Sequence, residues 1–163
     1  VPSVAIVLTT DGTVGPQPLL IKRAEQEGDP WSGQMALPGG RREQPDQKLL
    51  DTARRETLEE TGVALTERHL MGELDDLHPR IRVLPAIVVR PFVFNVGRRP
   101  RVAISEEVTL YLWVPLQELR ESATRSLIRV RGDELEVPSY VVGPHIVWGM
   151  TERILRPIID LAR

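Results

Sequence analysis

Three glutamates, Glu56, Glu59 and Glu60, follow an arginine in the run Ala53-Arg54-Arg55-Glu56-Thr57-Leu58-Glu59-Glu60-Thr61-Gly62-Val63. On a helix turning about 100° per residue, these carboxylates fall within an arc of roughly 100°. Like charges on one face repel one another, so the arrangement costs stability unless a cation sits among them. Hard oxygen ligands suit Mg²⁺ or Mn²⁺, which keep several waters and bind substrate phosphates. The same residues also read as a solvated acidic face paired with Arg54 and Arg55. Just upstream, Pro38-Gly39-Gly40 is a backbone break that glycines negotiate easily. Arg41 and Arg42 follow it, placed either to reach phosphate oxygens or to pair with Glu43 and Asp46.

Elements must hold these groups in place. The spacing predicts one long helix over Gln47–Thr61, stopped by Gly62. Strands are expected at Val4–Thr10, Leu19–Lys22, Leu70–Leu77, Ala86–Phe94 and Val108–Val114, with a loop at Gln26–Gly33. Pro115–Glu121 reads as a helical turn, and Ser126–Arg131 with Glu134–Pro138 as a hairpin across Gly132-Asp133. A second helix is expected over Gly143–Leu161, kinked or split at Pro157. Mixed strands with few helices argue for an α+β or α/β sandwich over a doubly wound sheet.

The 163 residues fit one domain, 1–163, with no repeat or linker to divide it. Net charge is −2 and only seven residues are aromatic, which disfavours a nucleic-acid surface. The absence of cysteine removes disulfides, thiolate ligands and a cysteine nucleophile. No apolar run reaches the roughly 18 residues of a membrane span, and the start has no signal-peptide pattern. A soluble cytoplasmic protein without membrane or nucleic-acid partners is therefore expected, with a homodimer left open. His69, His78 and His145 lack a zinc spacing, and Trp113 and Trp148 sit in apolar segments that read as core. Trp31 could stack on a ring or anchor its loop. Arg98, Arg99 and Arg101 could hold phosphate or form a solvated hairpin tip.

The ordered string resembles the signature of the Nudix hydrolase family, G-x5-E-x7-R-E-U-x-E-E-x-G-U, with U aliphatic. Arg55, Glu56, Glu59, Glu60, Gly62 and Val63 match their positions. Thr57 replaces the first aliphatic residue, and Asp46 stands at the offset of the first Glu. Gly40 lies 15 residues before Arg55 where the pattern has 14, so one extra residue falls between Asp46 and Arg55. The resemblance implies an α/β/α sandwich with a mixed β-sheet and a loop–helix–loop catalytic motif. It implies cleavage of a small-molecule diphosphate substrate with Mg²⁺ or Mn²⁺ as cofactor. By resemblance Glu56, Glu59 and Glu60 are metal ligands and Arg55 orients them. The base would be Glu60, Glu59 or a downstream glutamate, of which Glu107, in the pair Glu106-Glu107, is the foremost candidate; that pair also reads as ordinary surface glutamates.

The segment before the motif is similar to the branch containing coenzyme A pyrophosphatases, which carries LLTxRS and then GxxxFPGG. Gly33, Pro38, Gly39, Gly40 and the extra residue match, as do Leu19-Leu20-Ile21-Lys22-Arg23 in part. Leu37 stands in place of Phe, Ala24 in place of Ser, and no matching Arg lies between Arg23 and Gly33. The resemblance places Arg23, Trp31, Gly39, Gly40 and Arg41 on the substrate side. Coenzyme A is the first expectation, with ADP-ribose or a nucleotide sugar as competitor. A non-catalytic nucleotide-binding module of the same scaffold is the reading from another class.

Overall fold

The strand Ser3–Thr9 (β1) carries apolar residues on both faces because both are covered. The computed structural model describes residues 2–27, 33–78, 88–130 and 132–161. In chain order β1 is followed by β2 (Gln17–Arg23), β3 (Met35–Ala36), β4 (Gly39–Gly40) and helix α1 (Leu49–Thr61). A 3-10 turn at Glu67–His69 leads into β5 (Leu70–Glu73), β6 (Arg90–Gly97), β7 (Val108–Trp113) and α2 (Leu116–Glu121). The chain ends with β8 (Thr124–Val130), β9 (Asp133–Val142), β10 (His145–Trp148) and α3 (Gly149–Leu161).

The main sheet is mixed: β1 pairs parallel with β6, while β1–β2, β2–β7 and β5–β6 are antiparallel. Ala5, Val7, Leu19, Phe92 and Phe94 face Leu50 and Ala53 of α1. Ile6, Leu8 and Leu20 face Leu116 and Leu119 of α2 and Ile154, Leu155 and Ile159 of α3. The sheet is thus sandwiched between helices, as expected. A smaller sheet, β10-β9-β8, packs its own cluster of Val130, Val137 and Trp148.

What positions the site is a split in the main sheet. The paired residues of β1 and β2 are Leu8↔Pro18 and Thr9↔Gln17. Toward the other end the chain inserts 35–40 between them, β3 pairing with β2 and β4 with β1. There the backbones touch. A Cβ on Gly39 would lie 2.3 Å from the Ser3 carbonyl oxygen and 2.7 Å from the Val4 Cα. The segment leading to this insertion is clamped at its base, with Arg23 N–H donating to Gln34 O (3.0 Å) and Gly33 N–H to Arg23 O (3.0 Å).

Several element boundaries differ from the sequence reading. Residues 145–148 form β10, paired with β9 from His145↔Val142 to Trp148↔Ser139, where a helix was expected. Gly143 makes the turn and Gly149 starts α3, so the helix begins six residues later than read. It then runs through Pro157 without division. The strand at Leu70 ends at Glu73, and Leu77 forms only an isolated bridge to Val89. Strand β6 continues to Gly97, while positions 86 and 87 of the expected strand lie outside the described residues.

Candidate active site

Helix α1 is fixed at both ends by the chain around it. At its start Lys48 N–H donates to the Asp51 carboxylate (3.2 Å), and Ser3 Oγ donates to Leu49 O (2.9 Å). At its end Gly62 adopts φ +74° and donates to Leu58 O (2.9 Å), the left-handed stop that favours glycine. Thr57, where the family pattern has an aliphatic residue, is buried and donates its hydroxyl to Ala53 O (2.7 Å).

Arg55 is the hub of the charged face. Its Nε lies 3.0 and 3.2 Å from the two Asp46 oxygens, and Nη2 lies 2.9 Å from Oδ2. Nη1 donates to Glu56 (2.9 Å) and Glu59 (3.2 Å), and Nη2 also donates to Arg41 O (3.0 Å). Asp46 is buried and accepts further bonds from Thr52 Oγ1 (2.9 Å) and Glu43 N–H (3.0 Å). The Arg55 guanidinium, with those two donors, holds the Asp46 carboxyl far below the usual carboxylate range. Asp46, at the offset of the signature's first Glu, is thus the buried partner of Arg55, a role the sequence left open. Its offset from Gly40 was the available signal. Thr52 gave none.

Glu56 and Glu60 lie over the inserted glycines. A Cβ on Gly40 would meet the Glu56 carboxyl at 2.6 Å, so only glycine leaves room for that group. Gly39 N–H donates to Glu60 Oε1 (3.0 Å). Burial raises the Glu56 carboxyl against the pull of Arg55, with Glu59 and Glu107 adding repulsion. Burial pushes Glu60 up to about 8, opposed by the Gly39 N–H and by Arg23, and reinforced by Glu56 and Glu107. Arg23 and Glu107 reach this region because Ala24 N–H donates to Glu107 O (2.9 Å) beside a bulge in the β2–β7 ladder.

The structure thus gathers Arg55, Glu56, Glu59, Glu60, Glu107, Arg23, Gly39 and Gly40 at one end of the split sheet. Arg41 lends its carbonyl to Arg55 and exposes its side chain. Arg42 is taken up in binding Asp46 O and Gln47 O. Trp31 lies outside the described residues. Arg99 sits 5.7 Å from the half-buried Trp113 ring and bonds Gln17, which makes it a structural part of the opposite end of β2. Among the described residues no three acidic or His side chains form a ready-made metal cage. Glu59 is held on Arg55 and is half exposed. Glu56 and Glu60 nevertheless supply buried hard-oxygen donors whose repulsion a cation would relieve. That set suits an ion completing its shell with water and phosphate.

A model of the Nudix domain matches residues 1–130. The chain belongs to the Nudix family. It is 31% identical over 134 residues to human mitochondrial coenzyme A diphosphatase NUDT8, covering 79% of this chain and 56% of that protein. An uncharacterised Schizosaccharomyces pombe protein is 39% identical over 109 residues, 64% of this chain and 33% of its own length. The chain thus spans from a third to just over half the length of these relatives. Among solved structures, a MutT/nudix family protein from Enterococcus faecalis shares the fold with a TM-score of 0.66 at 20% identity, covering 98% of this chain and 61% of that one. The Nudix domain of Shewanella oneidensis NrtR, solved with ADP-ribose, gives 0.56 at 22%, covering 74% of this chain and 75% of that one.

Proposed function

We propose that this Nudix chain is a metal-dependent diphosphatase that cleaves the diphosphate linkage of a nucleoside diphosphate derivative, with coenzyme A as its first substrate. The observation that carries the proposal is the placing of Glu56 and Glu60 over the Gly39–Gly40 backbone, with Arg55 locked on Asp46 beside them. Glu56 and Glu60, joined by Glu59 once it leaves Arg55, would hold Mg²⁺ or Mn²⁺. Such an ion neutralises phosphate oxygens and lowers the pKa of a bound water.

The chain's own groups do the rest. Arg55 keeps Glu56 and Glu59 turned to one side through charge-assisted bonds. The Gly39 N–H fixes one Glu60 oxygen, which orients Oε2 to accept a proton. Glu107 is the second candidate for that proton. Arg41 and Arg23 would be the cations that meet the diphosphate and its flanks. Water oxygen bonds to one phosphorus as the bridging P–O bond breaks, leaving two phosphate monoesters.

Coenzyme A is favoured by the upstream pattern from Leu19 to Gly40 and by the likeness to NUDT8. Leu37 and Ala24 depart from that pattern, which makes ADP-ribose the comparison substrate. The test is kcat/KM for coenzyme A, ADP-ribose and a nucleotide sugar at equal Mg²⁺ or Mn²⁺. We expect coenzyme A to yield phosphopantetheine and a 3′-phosphorylated adenine nucleotide, EDTA to abolish turnover and metal to restore it. A coenzyme A value more than about tenfold (1.4 kcal/mol) below a competitor overturns the substrate. Turnover of none overturns the diphosphatase.

A further inference from the structure

A helix leaves its last carbonyls without intrahelical donors, and α1 spends two of them on a segment far away in sequence. Thr61 O accepts Ala103 N–H (2.8 Å), and Glu60 O accepts Ser105 N–H (3.0 Å). The chain at 103–105 is therefore registered, residue against residue, on the end of the helix that carries Glu60. Ser105 then turns the chain. Its carbonyl accepts Val108 N–H (3.1 Å), and its Oγ accepts Glu107 N–H (3.2 Å). Glu107 O in turn accepts Ala24 N–H, next to Arg23. A continuous main-chain path thus runs from Glu60 through Ser105 and Glu107 to the Arg23 bulge.

We infer that Ser105 is the positioning residue that sets Glu107 against Glu60, its N–H fixed on the helix and its hydroxyl fixed on the Glu107 backbone. The inference rests on the functional reading above. A hydroxyl accepting from the N–H two residues on is a local turn device that narrows the backbone between them. Here those two residues are Glu106 and Glu107, adjacent like charges, both exposed. Among the described residues the Ser105 hydroxyl is the acceptor that holds the Glu107 N–H. The charge of Glu107 bears on both Glu56 and Glu60, so its displacement changes the field at the two buried carboxylates. Ser105 itself is only half buried, so losing its hydroxyl costs little stability.

The test is a double-mutant cycle of Ser105→Ala and Glu107→Gln on the full chain, with Ser105→Thr as the conservative variant. Turnover of the best substrate and Mn²⁺ affinity by titration are both measured. Ser105→Ala should lower kcat about tenfold, as expected for a misplaced group. KM should stay within about twofold, and Thr should restore most of the rate. In the Glu107→Gln background the same change should cost less than about twofold, the sign of a role exercised through Glu107. Mn²⁺ affinity should follow the same cycle, weakened by either change and no further by both. Equal losses in both backgrounds, no loss from Ser105→Ala, or no rescue by Thr overturns the inference. If the wild type turns over no diphosphate, the functional reading falls, and the Mn²⁺ cycle alone decides: coupled losses support Ser105 as positioning residue, and additive or absent losses overturn it.

Discussion

Replacing Asp46 by Asn keeps the shape of the side chain and removes its charge. The carboxylate accepts three contacts from Arg55, one from Thr52 and one from the Glu43 N–H. An amide has one acceptor oxygen, and its NH₂ would point at a donor whichever way it is turned. Breaking a buried ion pair by removing one partner costs about 3–5 kcal/mol. Arg55 keeps Glu56 and Glu59, and its side chain is 19% exposed, so we expect about 2–3 kcal/mol. For a chain of this size that lowers Tm by about 5–10 °C. The loss should depend on pH in a definite direction. The folded-state pKa of Asp46 is depressed, so its contribution is complete above the unfolded value near 4 and is lost as pH falls toward the folded one. The wild-type advantage over Asp46→Asn in thermal melts should therefore be full at pH 7 and shrink below about pH 4. Thr52→Val, which removes one bond to the same carboxylate, should cost about 1 kcal/mol and keep most of the pH dependence. A gap under about 0.5 kcal/mol at pH 7, or one unchanged at pH 3, would refute the assignment of Asp46 as the anchor of Arg55.

Glu60→Gln should stabilise the metal-free protein at pH 8 while slowing turnover. The raised folded pKa means that stability is full below the ordinary carboxylate range and erodes as pH rises through about 8, so melts of the two proteins should converge near pH 4–5. A variant no more stable than wild type at pH 8 counts against a buried, repelled carboxyl. Replacing Glu60 or another of the carboxylates proposed to hold the metal should cost about 30- to 1000-fold in rate, whereas Glu43→Gln, an exposed partner 3.8 Å from Arg55, should cost little. Gly39→Ala should damage folding more than Gly40→Ala, because its Cβ meets main chain while that of Gly40 meets a side-chain carboxyl. Greater soluble yield and Tm for Gly39→Ala than for Gly40→Ala would contradict the packing argument.

Helix α1 was legible because its signals are local: charge spacing, a terminal glycine and the Pro38-Gly39-Gly40 break are all near one another in sequence. The sandwich was legible from the order of the elements, mixed strands with few helices, and from the resemblance carried by the helix motif. Strand β10 was missed because Ile146-Val147-Trp148 is a short apolar run that strand and helix share, and only pairing with β9 decides it. The register of 103–105 on the α1 carbonyls is a long-range main-chain match that leaves no mark in residue type. Glu107 could be suspected from its place before a strand, but Ser105 could not. Asp46 lay between these cases, with a fitting offset and a buried role that only Thr52 and Arg55 define.

The two main-chain bonds that join Arg23 to Gly33 and Gln34 fix where the chain leaves and rejoins the sheet. The chain leaves the sheet at Arg23 and returns at Gly33–Gln34 at fixed points, so Gly39 and Gly40 reach Glu60 and Glu56 along the same route whatever the stretch contains. Doubling the length of a flexible connection between two fixed points costs only about 0.6 kcal/mol of closure entropy. Insertion or deletion between these points would therefore leave the Glu56–Glu60 arrangement over the glycines in place. An engineer could use this by grafting 25–32 from one relative onto another.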